Sequence, residues 1–114
     1  MHEPGITRGI MDTVLETLER ERIESVVRKV NVTIGVCQGL VPDAMQMFFE
    51  MERPGTPLAE AELVIELQPM IAHCPTCDKQ HQLDLPILFC PECGSQMELI
   101  QGKELLVTSI EVDQ

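Results

Sequence analysis

The sequence is poor in aromatic residues and in positive charge. It has no Trp and no Tyr, and its aromatic side chains are Phe48, Phe49 and Phe89. A hydrophobic core must therefore be filled by Leu, Ile, Val and the seven Met residues, and Met adapts easily to irregular gaps. Eight Lys and Arg residues against nineteen Asp and Glu residues give a formal net charge of −11. Because a phosphate backbone requires cations to neutralise it, we expect neither a nucleic-acid partner nor binding to an anionic membrane.

Long apolar segments are also missing. No stretch approaches the roughly 20 apolar residues that a membrane span requires, and no positively charged start followed by an apolar run indicates a secretory signal. We therefore expect the protein to be cytoplasmic, and the cytoplasm keeps thiols reduced. With 114 residues, 44% of them hydrophobic and 24% charged, the composition is typical of one globular domain with a small additional module.

The periodicity of apolar residues predicts an α+β fold. Apolar residues recur about every four positions in residues 4–22 and again in 42–52, which predicts two amphipathic helices. Alternating apolar and polar residues predict strands over 26–36, 61–68 and 103–112. Together these elements predict a small three-stranded sheet with two helices. The residues of the first strand that we expect to face the core are Val30, Val32, Ile34 and Val36.

Residues 73–102 interrupt this pattern. Cys, Pro, Gly and Asp cluster there, and neither the helical nor the strand period persists. Because a predicted strand follows this segment, we expect it to be an insertion rather than a tail. The predicted organisation is one α+β domain formed by residues 1–72 and 103–114, with an inserted four-cysteine zinc module at 73–102.

Two CxxC motifs, CPTC and CPEC, supply four candidate metal ligands: Cys74, Cys77, Cys90 and Cys93. Two thiolates three positions apart on a tight turn can bind one ion, and two such turns complete a tetrahedral set that suits structural Zn(II). The same spacing also fits an iron site with four sulfurs. A disulfide framework conflicts with the cytoplasmic expectation, and a redox dithiol usually has a single CxxC motif.

The two histidines near the CxxC motifs, His73 and His81, and the fifth cysteine are expected to have minor roles. His73, beside Cys74, could enter the ligand shell, but such a residue is more often on the surface or donates to a thiolate. We expect His81 to be solvated and Cys37 to pack as a small hydrophobic residue near a turn. No nucleophile with a neighbouring base and no pair of convergent carboxylates is evident, so we do not expect an enzyme.

His2 lies one residue from the amino terminus. A terminal amine, the backbone nitrogens that follow it and an imidazole can surround one ion, and such a nitrogen-rich set favours Ni(II) or Cu(II). Because a bulky His2 should leave Met1 uncleaved, the amine stays close to the imidazole, and Glu3 adds a nearby carboxylate. On chemistry alone, however, a solvated side chain at a frayed terminus is the commoner outcome.

Several phrases of the sequence together resemble a known family. MHE, VTIG, VPDAMQMFFE, GTPLAEAELVIE, the paired CxxC insertion and ELLVTSIEV are similar, in this order, to the HypA/HybF hydrogenase maturation proteins, which are nickel metallochaperones. The resemblance implies a small α+β domain with a zinc module inserted before the last strand, with zinc bound by the four CxxC cysteines. It also implies nickel binding by the amino-terminal segment, with His2 as the principal ligand and the Met1 amine and the Glu3 backbone as helpers.

The resemblance further implies a function. The chain would carry Ni(II) and deliver it, with a GTPase accessory protein, to the large-subunit precursor of a nickel–iron hydrogenase, with urease as a second route. Pro4 and Gly5 depart from the family pattern, in which a small or polar residue and Ser-Ile usually follow MHE, and this departure concerns how the first helix starts. The alternative hypothesis is a zinc-ribbon protein-interaction module that binds no nickel, and a thiol redox enzyme would require a reactive cysteine.

Overall fold

The structure, a computed structural model, describes residues 2–114. These residues form two helices, α1 (Glu3–Arg20) and α2 (Pro42–Glu52), and six strands. The strands are β1 (Val27–Gly35), β2 (Glu62–Gln68), β3 (Met70–Cys74), β4 (Lys79–Leu83), β5 (Glu98–Gln101) and β6 (Leu105–Val112). They form two three-stranded sheets, in the orders β2-β1-β6 and β4-β3-β5. The predicted α+β class is confirmed, and the second sheet is an addition to it.

The chain divides into two compact units. The helical unit contains both helices and comprises residues 2–33, Leu40–Glu66 and Leu106–Gln114. The cysteine unit comprises Ile34–Gly39 and Leu67–Leu105 and contains the second sheet. Over residues 2–114, neither helix is long and apolar enough to cross a membrane.

Helix α1 begins at Glu3, one residue before the predicted start, and ends two residues before the predicted end. Pro4 lies in the first turn, where its missing N–H is not needed by the helix and its fixed φ is favourable. The departure from the family pattern at this position is therefore compatible with a regular helix start. The apolar face predicted for α1 is buried at Ile10, Met11, Val14 and Leu18, whereas Ile6 and Leu15 on the same predicted face are half-buried.

Helix α2 spans the predicted residues and packs against α1. Its buried side chains are Met45 and Phe49, whereas Phe48 is only half-buried. The helical unit thus has an apolar core to which α1, β1, α2 and the segment before β2 contribute. Its fully buried side chains include Met11, Val14, Val30, Met45, Phe49 and Leu58.

Strand β1 buries Val30, Val32 and Ile34 as predicted, but it ends at Gly35. The chain then enters a 3₁₀ turn at Val36–Gln38, and the Val36 side chain is exposed. The expectation that Val36 faces the core is wrong because the alternation of strand side chains ends with the strand.

The cysteine unit contains three short strands within a region where the sequence shows little periodicity. Strand β3 pairs antiparallel with β4, from Met70 opposite Leu83 to Cys74 opposite Lys79, and antiparallel with β5 on its other side. The small core of this unit includes two cysteines. Its buried residues are Ala72, Cys74, Cys90 and Met97, with Cys77, Leu83 and Leu88 packed against them.

Candidate metal centres

Four cysteine thiols converge in the cysteine unit. Cys74 ends β3, Cys77 lies in the turn before β4, and Cys90 and Cys93 lie on the second turn. Their sulfur atoms all lie within 4.8 Å of one another, and the Cys74 and Cys93 sulfurs are 3.6 Å apart. Zn–S bonds of about 2.3 Å in a tetrahedron separate the sulfurs by about 3.8 Å. The spacing therefore fits one tetrahedral ion.

The two CxxC turns share one backbone conformation. The Asp78 N–H donates to the Cys74 carbonyl at 2.8 Å, and the Gly94 N–H donates to the Cys90 carbonyl at the same distance. Asp78 has a φ of 55° and Gly94 a φ of 74°, so each turn closes with a left-handed residue. Gly adopts this conformation at no steric cost, and Asp is among the side chains that tolerate it best. Each turn therefore presents its pair of cysteines in the same way.

Without a bound cation, the four thiols cannot all lose their protons at neutral pH. A hydrogen bond with Cys93, followed by burial and a hydrogen bond with Cys74, raises the pKa of Cys77 to about 12. Hydrogen bonds from the side chain and backbone of Ser95 lower the pKa of Cys93 to about 6. One thiolate therefore forms at neutral pH at the expense of a neighbour. A divalent cation removes this conflict, so the chemistry of the donor set fits a zinc ion.

The expectation for one histidine of this unit agrees with the structure, and the expectation for the other does not. His73 places its Nε2 atom 2.9 Å from Asp78 Oδ1, in agreement with a role outside the ligand shell. The expectation that His81 is solvated is wrong, because its side chain is only 19% exposed. Its Nε2 atom lies 3.8 Å from Cys90 Sγ and 3.8 Å from Glu92 Oε2, so His81 borders the thiol cluster.

Cys37 lies in a turn, as expected, but it is exposed, so the expectation that it packs as a small hydrophobic residue is wrong. It lies in the 3₁₀ turn after β1, where its N–H donates to the Gly102 carbonyl at 2.9 Å. The backbone of Cys37 is held while its side chain faces solvent, and the sulfur is not part of the four-cysteine cluster.

His2 is exposed at the start of α1. It occupies the N-cap position, and its carbonyl accepts a hydrogen bond from the Ile6 N–H at 3.0 Å. Together with Pro4, Gly5 and Ile6 it lines an open surface depression of about 380 Å³. Met1, whose amine is an expected nickel ligand, lies outside the described residues. The imidazole of His2 is thus accessible to an exchangeable ion.

Glu3 has a structural contact that the sequence does not indicate. Its side chain is buried, with 4% of the residue exposed, and its Oε2 atom accepts a hydrogen bond from the Val41 N–H at 3.0 Å. Val41 is the N-cap residue of α2. The carboxylate therefore connects the start of α1 with the start of α2, and this hydrogen bond holds the side chain next to His2.

The fold and the sulfur cluster define a small α+β metal-binding protein with a four-cysteine centre. A family model described as HypA, a hydrogenase/urease nickel incorporation metallochaperone, matches residues 1–112. The chain belongs to the HypA family of nickel metallochaperones for hydrogenase maturation, and the resemblance seen in the sequence is confirmed.

Individual relatives agree over the full length. The hydrogenase maturation factor HypA of Desulfatibacillum aliphaticivorans is 36% identical over 113 residues, which cover 98% of this chain and 87% of that one. The HypA of Chloroflexus aggregans is 37% identical over 113 residues, covering 97% of this chain and 98% of its own. The solution structure of the Ni metallochaperone HypA from Helicobacter pylori matches 98% of this chain and 97% of its own with a TM-score of 0.66. At 21% identity, this likeness shows the fold alone.

Proposed function

We propose that this chain carries Ni(II) as its cargo on the amino-terminal segment. His2 is the principal ligand, and the Met1 amine and the Glu3 backbone complete a nitrogen-rich set. The observation that carries the proposal is an exposed His2 at the head of α1 in a chain whose family acts in nickel incorporation. Because the ion would be held by few protein groups at the surface, a receiving protein can displace those groups one at a time.

The cargo is then transferred by ligand exchange. Family membership implies interaction with the maturation machinery. We infer that the chain acts in the cytoplasm with a GTPase accessory protein and delivers Ni(II) to the precursor of a hydrogenase large subunit. The family description also names urease, which makes urease supply a second route. No covalent bond is made or broken in this transfer, so the chain acts as a carrier and not as an enzyme.

Zinc has a different role in this proposal. Residues 73–102 hold it through four thiolates, whereas nickel binds to the domain formed by residues 1–72 and 103–114. A bound zinc ion neutralises the thiolates and cross-links the two CxxC turns. With all four positions taken by sulfur, this centre has no open position for a substrate.

The nickel site is tested by titrating Ni(II) into the zinc-loaded wild-type chain, the His2→Ala variant and a chain with extra residues before Met1. We expect one nickel ion per wild-type chain, an absorption band of square-planar Ni(II), and loss of both in the two altered chains. His73→Ala is the matched control, because it removes a histidine that lies beside Asp78, and it should bind nickel as the wild type does. Equal nickel affinity in all four chains would refute the terminal site. A wild-type chain without the nickel band would favour the zinc-ribbon interaction module.

A further inference from the structure

The ring of His81 lies against one of the four clustered sulfurs. Its Nε2 atom is 3.8 Å from Cys90 Sγ, which is within hydrogen-bonding reach of sulfur, a larger acceptor atom than oxygen. The same Nε2 atom is 3.8 Å from Glu92 Oε2. That distance exceeds the roughly 2.7–3.2 Å of an N–H···O hydrogen bond. The hydrogen-bond partner of this nitrogen is therefore the Cys90 sulfur, and Glu92 acts on the ring only through its charge.

Strand pairing fixes the position of this ring. His81 lies in the middle of β4, opposite Ala72 of β3, and its side chain is 19% exposed. Residues two apart on a strand share a face, so Lys79 lies on the same face as His81. The Lys79 Nζ atom is 3.2 Å from Glu92 Oε1. Strand β4 thus contacts the second CxxC turn through two side chains, and His81 meets Cys90 from a regular strand.

Cys90 is a sulfur that needs a hydrogen-bond donor. It is only 3% exposed, and a buried charge is costly unless it is hydrogen-bonded. In the first turn, the Cys77 N–H donates to the Cys74 sulfur at 3.4 Å. Ser95 donates to Cys93 from its side chain and its backbone. At Cys90, the group that faces the sulfur is the imidazole of His81.

The charge of a metal-bound sulfur decides which ring nitrogen carries the proton. A thiolate that binds a cation has lost its proton, so it can only accept a hydrogen bond. A neutral imidazole has one N–H donor and one acceptor nitrogen. Because Nε2 is the nitrogen that faces Cys90, it must be the protonated one when the four thiolates hold an ion.

We propose that His81 is a positioning residue of the zinc centre, and that its Nε2–H donates to the Cys90 thiolate and holds this sulfur in place for the ion. Partners of this kind orient a metal ligand and tune its electron donation without binding the metal themselves. The inference rests on the zinc role in the proposed function and is independent of the nickel site at His2.

Zinc affinity tests the donor directly. It is measured at one fixed pH in the full chain, by competition with a chelator of known zinc affinity. His81→Phe keeps a ring of similar size but has no N–H, and we expect it to bind zinc about tenfold to 100-fold more weakly. His81→Gln restores an N–H donor at a similar reach and should recover most of the affinity. His73→Phe is the control, because the ring of His73 is bonded to Asp78, and it should bind zinc as the wild type does.

Cobalt(II) in place of zinc gives a signature that a merely structural role would not change. A hydrogen bond lowers the energy of the sulfur lone pairs, so its loss should move the sulfur-to-cobalt charge-transfer band to longer wavelength in His81→Phe. The band should return toward the wild-type position in His81→Gln. A wild-type ligand-field band typical of three sulfurs and one nitrogen would show that the ring binds the metal itself, and this result would overturn the proposal.

The proton can also be located without any substitution. A long-range proton–nitrogen NMR spectrum of the zinc-loaded wild type should show a protonated Nε2 at His81, and a proton on Nδ1 alone would overturn the proposal. Equal zinc affinity in the wild type and His81→Phe would also overturn it. So would a loss in His81→Gln or His73→Phe as large as the loss in His81→Phe.

The same chains separate this inference from the proposed function. Nickel titration should give one ion per chain in the wild type and in all three variants, because none of the substitutions lies in the amino-terminal segment. A wild type without nickel would refute the nickel site, while the zinc measurements would still decide the role of His81. A wild type without zinc would refute both the zinc role and this inference.

Discussion

The five cysteines differ in what surrounds each sulfur. Cys74 and Cys90 are buried, and Cys77 and Cys93 complete the cluster at its more accessible side. Cys37 is exposed and lies outside this cluster. The CxxC spacing indicates which thiols can share an ion, since a tight turn brings positions i and i+3 together. It does not indicate the position of a single cysteine after a strand, which depends on where that strand ends.

Cys93→Ser is expected to abolish stoichiometric zinc binding. A serine hydroxyl does not replace the thiolate that Ser95 stabilises at this position, and three sulfurs hold the ion more weakly. Cys37→Ser is the matched control, because it removes an exposed thiol outside the cluster, and it should retain one ion per chain. Metal analysis of untagged protein, with zinc, iron and nickel counted together, measures the outcome. Retention of one zinc ion by Cys93→Ser would contradict the four-thiolate site.

Elements long enough to repeat their period are the ones that the sequence predicts well. Helix α2 has the predicted boundaries, and α1, β1, β2 and β6 differ from the prediction by at most two residues at either end. The strands of the second sheet are four or five residues long, so each shows at most about two repeats of the strand period. Only their pairing makes them evident, for example Ala72 opposite His81.

His81 shows the consequence of a missed strand for the site. Without β4, the sequence offers a histidine in a polar loop, and solvation is the natural expectation. In the register between β3 and β4, His81 instead lies opposite Ala72, and its side chain lies next to the thiol cluster. The neighbours of a metal site therefore depend on strand pairing, whereas its CxxC ligands depend on local spacing.

The end of β1 requires a glycine, and this requirement gives a prediction at the element scale. A Cβ atom on Gly35 would overlap the carbonyl group of Gly102, which belongs to the backbone and cannot rotate away. We expect Gly35→Ala to lower the free energy of unfolding by about 1–3 kcal/mol or more. The measurement is the midpoint of denaturant-induced unfolding, monitored by circular dichroism.

Gly9→Ala is the control for this comparison. Gly9 lies in the middle of α1, is exposed, and has nothing within 4 Å of the position that a Cβ would take. Because alanine is the better helix former, Gly9→Ala should raise the free energy of unfolding by about 0.5–1 kcal/mol. A Gly35→Ala variant as stable as the wild type would contradict the close approach of Gly35 to the Gly102 carbonyl.

At the scale of the whole molecule, the two units are stabilised by different means. The helical unit buries large apolar side chains such as Phe49, Met45 and Leu58. The cysteine unit buries few, and two of its core residues, Cys74 and Cys90, are candidate metal ligands. The sequence indicates this division, since apolar periodicity dominates one region and CxxC motifs the other. Folding of the cysteine unit should therefore depend on metal, whereas folding of the helical unit should not.

Removal of zinc should therefore unfold one unit before the other. The pKa of Cys77 is about 12 when no ion is bound, so this thiol must lose its proton when zinc binds. Protons and zinc then compete, and zinc affinity falls as the pH falls. In competition with a chelator whose own zinc affinity is known at each pH, the apparent zinc affinity of the chain should be lower at pH 6 than at pH 8. In the zinc-free chain, hydrogen exchange should show the Cys90 and Met97 amides losing protection, while those of Val14 and Phe49 keep theirs. Equal loss of protection at all four residues would mean that the two units fold as one.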